Sequence, residues 1–405
     1  MPLTTLSHTR APGSGEAAMS AASTALIVAD AGSPEVRWTD ETLAALRALV
    51  AAARRARIFT IFLAPLSDEA WAAGLAPQPG EHEFVVRAAD AASPFGASTL
   101  GLLLRANGVR DVVVAGSGCG LGLACIARDA GARGFGVVSD AKRLPAVAAA
   151  WLAEPEGRRG WQPEIKHAAL LRTLEARVAP AHTALVLIDV QHDFVSRRGA
   201  VGRREEMPMV EHAAARIPAL LASAREAGCT IVHVNAEYGQ HVRHVGSPYR
   251  FPSAHTREGA VWSVSATEIE DGHEFPPDEV EVCLPGSWGR QPLESVRALP
   301  GELQITKHRF SAFVDTPLEV ALRARGIRTL IFAGVTTNCC VESSVRDASM
   351  LDFYVVVAAD GVGTKDVVKA LHEASLEQMR TYFALVEPIE RIARALASHC
   401  AEEAA

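Results

Sequence analysis

The chain has 405 residues, and at about 150 residues per domain that length favours two or three domains over one core. Hydrophobic residues make up 49% of the chain and charged residues 21%, which excludes wholesale disorder. With 40 Lys and Arg against 47 Asp and Glu the net charge is −7; this is not the basic excess of a nucleic-acid binder, so no nucleic-acid partner is expected.

No apolar run approaches the ~18 residues needed to span a bilayer, so no membrane partner is expected either. Residues 1–23 carry Pro, Gly, Ser and Thr without an apolar h-region and read as a flexible leader, which makes the cytoplasm the expected location. The seven cysteines are odd in number and lack a CxxC or paired Cys/His spacing, which argues against a disulfide framework and against a structural zinc.

In chain order the pattern predicts a strand at Thr24–Ala29, a helix at Glu41–Arg54, a strand at Arg57–Ala64, a helix at Thr99–Ala106 and a strand at Val112–Ala115. The second half repeats the alternation. It has strand Leu185–Ile188, helix Val210–Ala227, strand Thr230–Asn235, helix Pro317–Ala324, strand Thr329–Ala333, helix Cys340–Met350 and strand Phe353–Ala358. Such alternation predicts α/β architecture: two tandem three-layer α/β/α domains, each with a mostly parallel, Rossmann-like sheet. The expected boundaries are 24–153, a linker at 154–182, and 183–400.

The two halves also match residue by residue. GVRDVVVAGSGCGLGLACIARDA, from Gly108, lies over GIRTLIFAGVTTNCCVESSVRDA, from Gly326, at an offset of 218 with seven identities in 23 positions. ALIVAD ending at Asp30 matches ALVLID ending at Asp189 at an offset of 159, so the second half carries 59 extra residues between these anchors. Much of that insertion falls between Glu237 and Arg290, and a long irregular stretch inside a domain is usually functional.

Asp189 ends a buried strand run, Lys307 follows the apolar Leu303–Thr306, and Cys340 opens a helix after a strand. Each stands where a strand gives way to its next segment, the edge at which open α/β sheets bind ligands. An acid, an ammonium and a thiol can therefore share one site. The helix start and the lysine favour a thiolate, and the aspartate can serve as general base.

The second half resembles the isochorismatase-like cysteine hydrolases, which include N-carbamoylsarcosine amidohydrolase, nicotinamidase, biuret hydrolase and ureidoacrylate amidohydrolase. LVLIDVQHDF (Leu185–Phe194) resembles the family's strand with its catalytic Asp, ITKHRFSAF (Ile305–Phe313) the segment with its Lys, and GVTTNCCVESSVRDA (Gly334–Ala348) the nucleophile motif. The resemblance covers roughly 180–395. It implies Asp189, Lys307 and Cys340 as a triad, and a cis peptide at Val335–Thr336 with the Thr336 and Cys340 N–H groups as oxyanion hole. It implies substrate contact by Asn235. The sequence has His192 where the family often has Asn, and Phe310 where the ureidoacrylate branch has Tyr.

In the first half only Asp30 has a counterpart in the triad. Gly122 stands at the position of Cys340, and Lys307 falls near Ala88 or Ala89, with Arg87 close by. The first half reads as a degenerate copy, Asp30 as a strand-end cap or relic, and Cys339 as packing. His241, His244, His255 and His273 read as loop residues, because the Asp-x-His pair of the nicotinamidase branch is absent. Tyr238, Trp288, Phe310 and Phe313 are equally open to pocket or core. GSGCGLG (Gly116–Gly122) does not fit a dinucleotide fingerprint.

The expected activity is metal- and cofactor-free hydrolysis of a C–N bond in a small amide or ureido compound through a thioester. Arg243, Arg250 and Arg257 are candidates for binding a substrate carboxylate. A vinyl-ether hydrolase, which lacks the Cys, and a non-catalytic binding or scaffold protein stand as alternatives. The duplication further predicts an intramolecular pseudo-dimer, with homo-oligomerisation left open.

Overall fold

Runs of Val, Ile, Leu and Ala without polar alternation are stable as strands where helices cover both faces of a sheet. The computed structural model describes residues 20–33, 36–66, 71–78, 80, 82–88, 94–117, 121–155, 160, 170–203, 206–238 and 282–403. The chain divides into two units, Met1–Leu170 and Leu171–Ala405. Among the described residues, no helix is long and apolar enough to cross a membrane.

In the first unit, strands β1 (Thr24–Val28), β2 (Phe59–Ala64), β3 (Glu83–Arg87), β4 (Asp111–Ala115) and β5 (Gly136–Val138) form one parallel sheet in the order β3-β2-β1-β4-β5. Successive side chains of a strand face opposite ways, and the burial follows that rule. Leu26, Val28, Phe62 and Val113 pack with Leu46, Leu49 and Val50 of the helix Asp40–Arg55. Ala25, Ile27, Ile61 and Val112 pack with Leu100 and Leu104 on the other face. The helix Asp40–Arg55 is capped by Thr39, whose hydroxyl accepts from Thr42 N. Asp40 and Glu41 in its first turn and Arg54 and Arg55 in its last complement its dipole.

The second unit repeats the layout and extends it. Strands β6 (Thr183–Ile188), β7 (Thr230–Ala236), β8 (Leu303–Lys307), β9 (Thr329–Val335), β10 (Tyr354–Gly363) and β11 (Leu385–Glu387) lie in the order β11-β10-β9-β6-β7-β8, all parallel. Leu185, Leu187, Ile331 and Val356 face the helices Pro208–Glu226 and Ile389–Glu403. Val186, Ile188, Phe332 and Val355 face Leu318, Leu322 and Val345 of the helices Leu318–Ala324 and Glu342–Met350. With both faces covered, the α/β/α layering read from the sequence holds in each unit. The strand order of the first unit is that of β8-β7-β6-β9-β10.

At the end of β8 away from Lys307, a charged staple fixes β8 against its neighbours. Glu302 receives Arg225 Nε and Nη2 at 2.7 and 2.9 Å and the Leu299 N–H at 2.8 Å, and lies 2.7 Å from Nε2 of buried His233 on β7. Partial burial works to raise the Glu302 pKa, but these donors outweigh it and hold the carboxyl at about 2. The folded value lies below the ordinary 4.5, so the stabilisation is present above that pH and is lost as pH falls toward about 2. Unfolding midpoints measured across this acid range should fall in the wild type and fall less steeply in Glu302→Gln. Superimposable pH profiles would remove Glu302 as the source.

Candidate active site

Three strand ends build the site. Asp189, directly after β6, adopts a left-handed φ of +52°, its N–H donating to Val234 O at 2.9 Å and its carbonyl accepting from Gln191 N at 2.7 Å. A non-glycine residue at positive φ costs free energy that its surroundings must offset. Lys307 is the last residue of β8, in register with Ala236. β9 ends at Val335, the Val335–Thr336 peptide is cis, and a π-helical turn, Thr337–Val341, leads into the helix Glu342–Met350. Cys340 therefore lies inside this turn and does not begin the α-helix, a correction to the sequence reading. Gly334, with φ +129°, passes so close to β6 that a Cβ would stand 2.0 Å from Ile188 O, so no larger residue fits there.

The turn and the strand ends bring the three groups together. Lys307 Nζ lies 2.8 Å from Asp189 Oδ2, 3.3 Å from Cys340 Sγ and 3.0 Å from Arg309 O, to which it donates. Asp189 and Lys307 are fully buried, and Cys340 is 5% exposed. Burial pushes the Asp189 carboxyl up, against Lys307, the Cys340 thiol and the Ala236 N–H. Burial also pushes the Cys340 thiol well above its ordinary range; Lys307 opposes this and Asp189 reinforces it. The sequence reading expected the lysine and the helix start to produce a resting thiolate. In the structure burial is the largest influence on this thiol, and it works against a resting thiolate.

The remaining site candidates are dispersed. Asn235 is half-buried on β7, in register with Thr306 and one step from the Ala236–Lys307 pair. Tyr238 is buried in a core cluster with Val282 and Cys283, while Phe310 packs half-buried against the cluster that contains Cys340. Thr336 is buried, its carbonyl accepting from Cys339 N and Val341 N. Trp288 stacks on His192 at 4.2 Å, and Phe313 lies against Phe353. Burial pushes the Cys339 thiol up as well. His241, His244, His255, His273, Arg243, Arg250 and Arg257 lie outside the described residues, as does Ala89.

Several polar residues at the site did not stand out in the sequence. Gln191 is fully buried. Its Nε2 donates to Ala236 O and Arg290 O at 2.9 and 2.7 Å, and its Oε1 accepts from Ala236 N at 2.8 Å. Asp193 accepts the N–H groups of Ala200 and Cys283 at 3.0 and 2.7 Å. Together they fasten the segment around Cys283–Arg290 beside Asp189. Thr337 Oγ1 lies 2.8 Å from His372 Nδ1, which ties the turn that carries Cys340 to the helix Lys369–Gln378. The signal available was the placement of Gln191 and Asp193 two and four residues after Asp189, in the polar segment DVQHDF that directly follows an apolar strand.

The family described as "Isochorismatase domain" matches residues 183–391, just over half the chain. The chain belongs to the isochorismatase family. Similar proteins include ureidoacrylate amidohydrolase RutB of Cronobacter turicensis, 30% identical over 223 residues and covering 54% of this chain and 90% of that protein. RutB of Methylobacterium radiotolerans is 29% identical over 218 residues, covering 54% and 80%. Among solved structures, a cysteine hydrolase from Pseudomonas syringae pv. phaseolicola aligns with a TM-score of 0.44 and 20% identity, covering 57% of this chain and 98% of that one. N-carbamoylsarcosine amidase from Thermoplasma acidophilum aligns with a TM-score of 0.37 and 22% identity, covering 51% and 96%.

The isochorismatase-family segment holds all three groups, and the first unit lies outside it. Asp30, after β1, repeats the positive φ at +66°, but its Oδ2 accepts the Ser117 hydroxyl at 2.8 Å. A water-sized cavity lies beside it, lined in part by Ala64 and Ala88. Counted from Asp30 and Asp189, Arg87, paired with Ala64 and exposed, stands where the second unit has Thr306, paired with Asn235, while the buried Ala88 stands at the position of Lys307.

Removing one partner of a buried ion pair leaves the other charge uncompensated, which costs about 3–5 kcal/mol. Lys307→Met should destabilise the second unit by that order, and Asp189→Asn added to it should recover part of the loss. A denaturant double-mutant cycle measures this; strictly additive losses would show that the pair is uncoupled.

Proposed function

We propose that this isochorismatase-family protein is a cysteine-dependent amidohydrolase that cleaves a C–N bond of a small amide or ureido compound. The observation that carries the reading is the ammonium of Lys307 placed within 2.8 Å of Asp189 and 3.3 Å of Cys340 in a site closed to bulk water. The relatives named ureidoacrylate amidohydrolase support the bond type and the size of substrate.

Because burial favours the protonated thiol, attack and proton transfer go together. Cys340 Sγ forms a bond to the carbonyl carbon while its proton passes to Asp189. Lys307 offsets the negative charge shared by thiolate and carboxylate. The backbone N–H groups of Thr336 and Cys340 serve as the oxyanion hole for the tetrahedral intermediate. Asp189 then returns the proton to the departing nitrogen, the C–N bond breaks, and ammonia or an amine leaves. Water, deprotonated by Asp189, hydrolyses the thioester and restores the thiol. The protein's own thiol is the nucleophile, so the proposed cycle assigns no step to a metal or cofactor. Asn235 and Phe310 border the substrate in this reading; buried Tyr238 shapes the wall behind it.

The first unit is a non-catalytic companion, since Ala88 and Gly122 stand where the second unit has its lysine and cysteine. In the full chain, Cys340→Ala should therefore abolish turnover, while Cys339→Ala keeps most of it. Ammonia release measured with both variants decides: equal losses, or turnover surviving in Cys340→Ala, would refute the assignment.

The relatives' bond type, with the polar Asn235 one register step from the Ala236–Lys307 pair, supports a small polar substrate. An ammonia-release screen over ureido acids, N-carbamoyl amino acids, biuret, maleamate and nicotinamide, run with a chelator present, should favour small ureido acids. A clear preference for nicotinamide, or loss of all activity to the chelator, would move the protein to another branch.

A further inference from the structure

The helix that follows the nucleophile carries a fully buried hydroxyl, Ser344, that the proposed chemistry does not use. Its Oγ donates to Cys340 O at 2.6 Å and accepts the Ala312 N–H at 2.9 Å. A serine that bonds the carbonyl four residues earlier in its own helix is ordinary and contributes little. The second bond is different, because Ala312 belongs to the loop after β8, five residues beyond Lys307. One oxygen atom thus joins the backbone that carries the thiol to the loop that follows the lysine.

That loop also fixes the ammonium, since Lys307 Nζ donates to Arg309 O at 3.0 Å. A second tether runs in parallel one helical turn on. Ser311 Oγ donates to Asp347 on the same helix and accepts the Phe313 N–H at 3.1 Å. We infer that Ser344, assisted by Asp347, is a positioning residue that sets the separation of Lys307 from Cys340. This rests on the reading of Cys340 as nucleophile.

Without the hydroxyl, the Ala312 N–H is left buried and unpaired, and the loop relaxes to satisfy it. A charge attraction across 3.3 Å in a dry site falls steeply as the gap widens, so the thiolate becomes harder to form. The test is alkylation of Cys340 by iodoacetamide as a function of pH, followed residue by residue by mass spectrometry, beside steady-state kinetics on a substrate from the screen. Ser344→Ala should alkylate about tenfold more slowly at neutral pH, its profile moving up by about one pH unit. Its kcat should fall by a similar factor with KM nearly unchanged, and Ser344→Thr, which keeps the hydroxyl, should restore the wild-type profile.

A folded Ser344→Ala whose profile superimposes on the wild type overturns the proposal, and so does Ser344→Thr shifting as Ser344→Ala does. Should Ser344→Ala fail to fold, Asp347→Ala decides through the second tether: an upward shift of the Cys340 profile supports positioning, and none rejects it. Turnover in Cys340→Ala would reject the cysteine reading itself, whereas an inactive Cys340→Ala beside an unshifted Ser344→Ala rejects only the tether.

Discussion

A carboxylate and an ammonium 2.8 Å apart, both without solvent exposure, set the terms for the second unit. Taking such charges out of water costs several kcal/mol per ion, and mutual attraction repays it only where geometry is tight and the remaining polar valences are met. The surrounding groups meet them in part. The Ala236 N–H and the Cys340 thiol add to Lys307 in supporting the Asp189 carboxylate. Arg309 O takes a further proton of Lys307, and Gln191 holds Ala236 in place from both of its backbone groups. Even the left-handed backbone at Asp189 is a local cost that this set of bonds offsets.

The first unit shows what happens to the same frame when the cation is absent. Its central strands have the same order, and its aspartate has the same backbone kink. With Ala88 in place of an inward lysine, the carboxylate turns to the Ser117 hydroxyl and a gap the size of a water remains. Arg87, one residue earlier, carries a positive charge but lies on the solvent side of the pleat, where the second unit has Thr306. A one-residue change of phase in an edge strand is enough to move a cation from core to water, because side chains alternate with a period of two. Sheet order is therefore robust to losing the site, while the site depends on phase.

That distinction explains how much could be read from the sequence. Central strands such as β1, β6 and β9 were legible because burial on both faces forces continuous apolar runs. The edge strands β3, β5 and β11 were not: EFVVR carries charge at both ends, and the other two have three residues each. The end of β10 was missed because Asp360 and Gly361 interrupt the apolar run after the expected strand Phe353–Ala358, yet a register shift between Val357 and Val362 lets the strand continue to Gly363. The positions of Asp189, Lys307 and Cys340 were legible as strand ends and a family pattern. The π-helical turn around Cys340 was not, because its hydrogen-bond spacing leaves no mark in composition. Gln191 and Ser344 escaped for a related reason: their partners, Arg290 and Ala312, are set by the fold and not by local sequence.

The protonation state of the resting thiol follows from the same burial. In an exposed site a nearby lysine and helical backbone would favour a standing thiolate, which would also be open to oxidation and alkylation. Here burial is the largest influence on the Cys340 thiol and favours its protonated form, while Lys307 at 2.8 Å works against burial in favour of a charged Asp189 carboxyl. In the proposed reaction charge then moves by a short proton transfer inside a site whose dipoles are already fixed, and little solvent has to reorganise. The buried ion pair thereby acts twice. It holds the strand ends in register, and in the proposed reaction it leaves a base and a counter-charge within reach of the buried thiol.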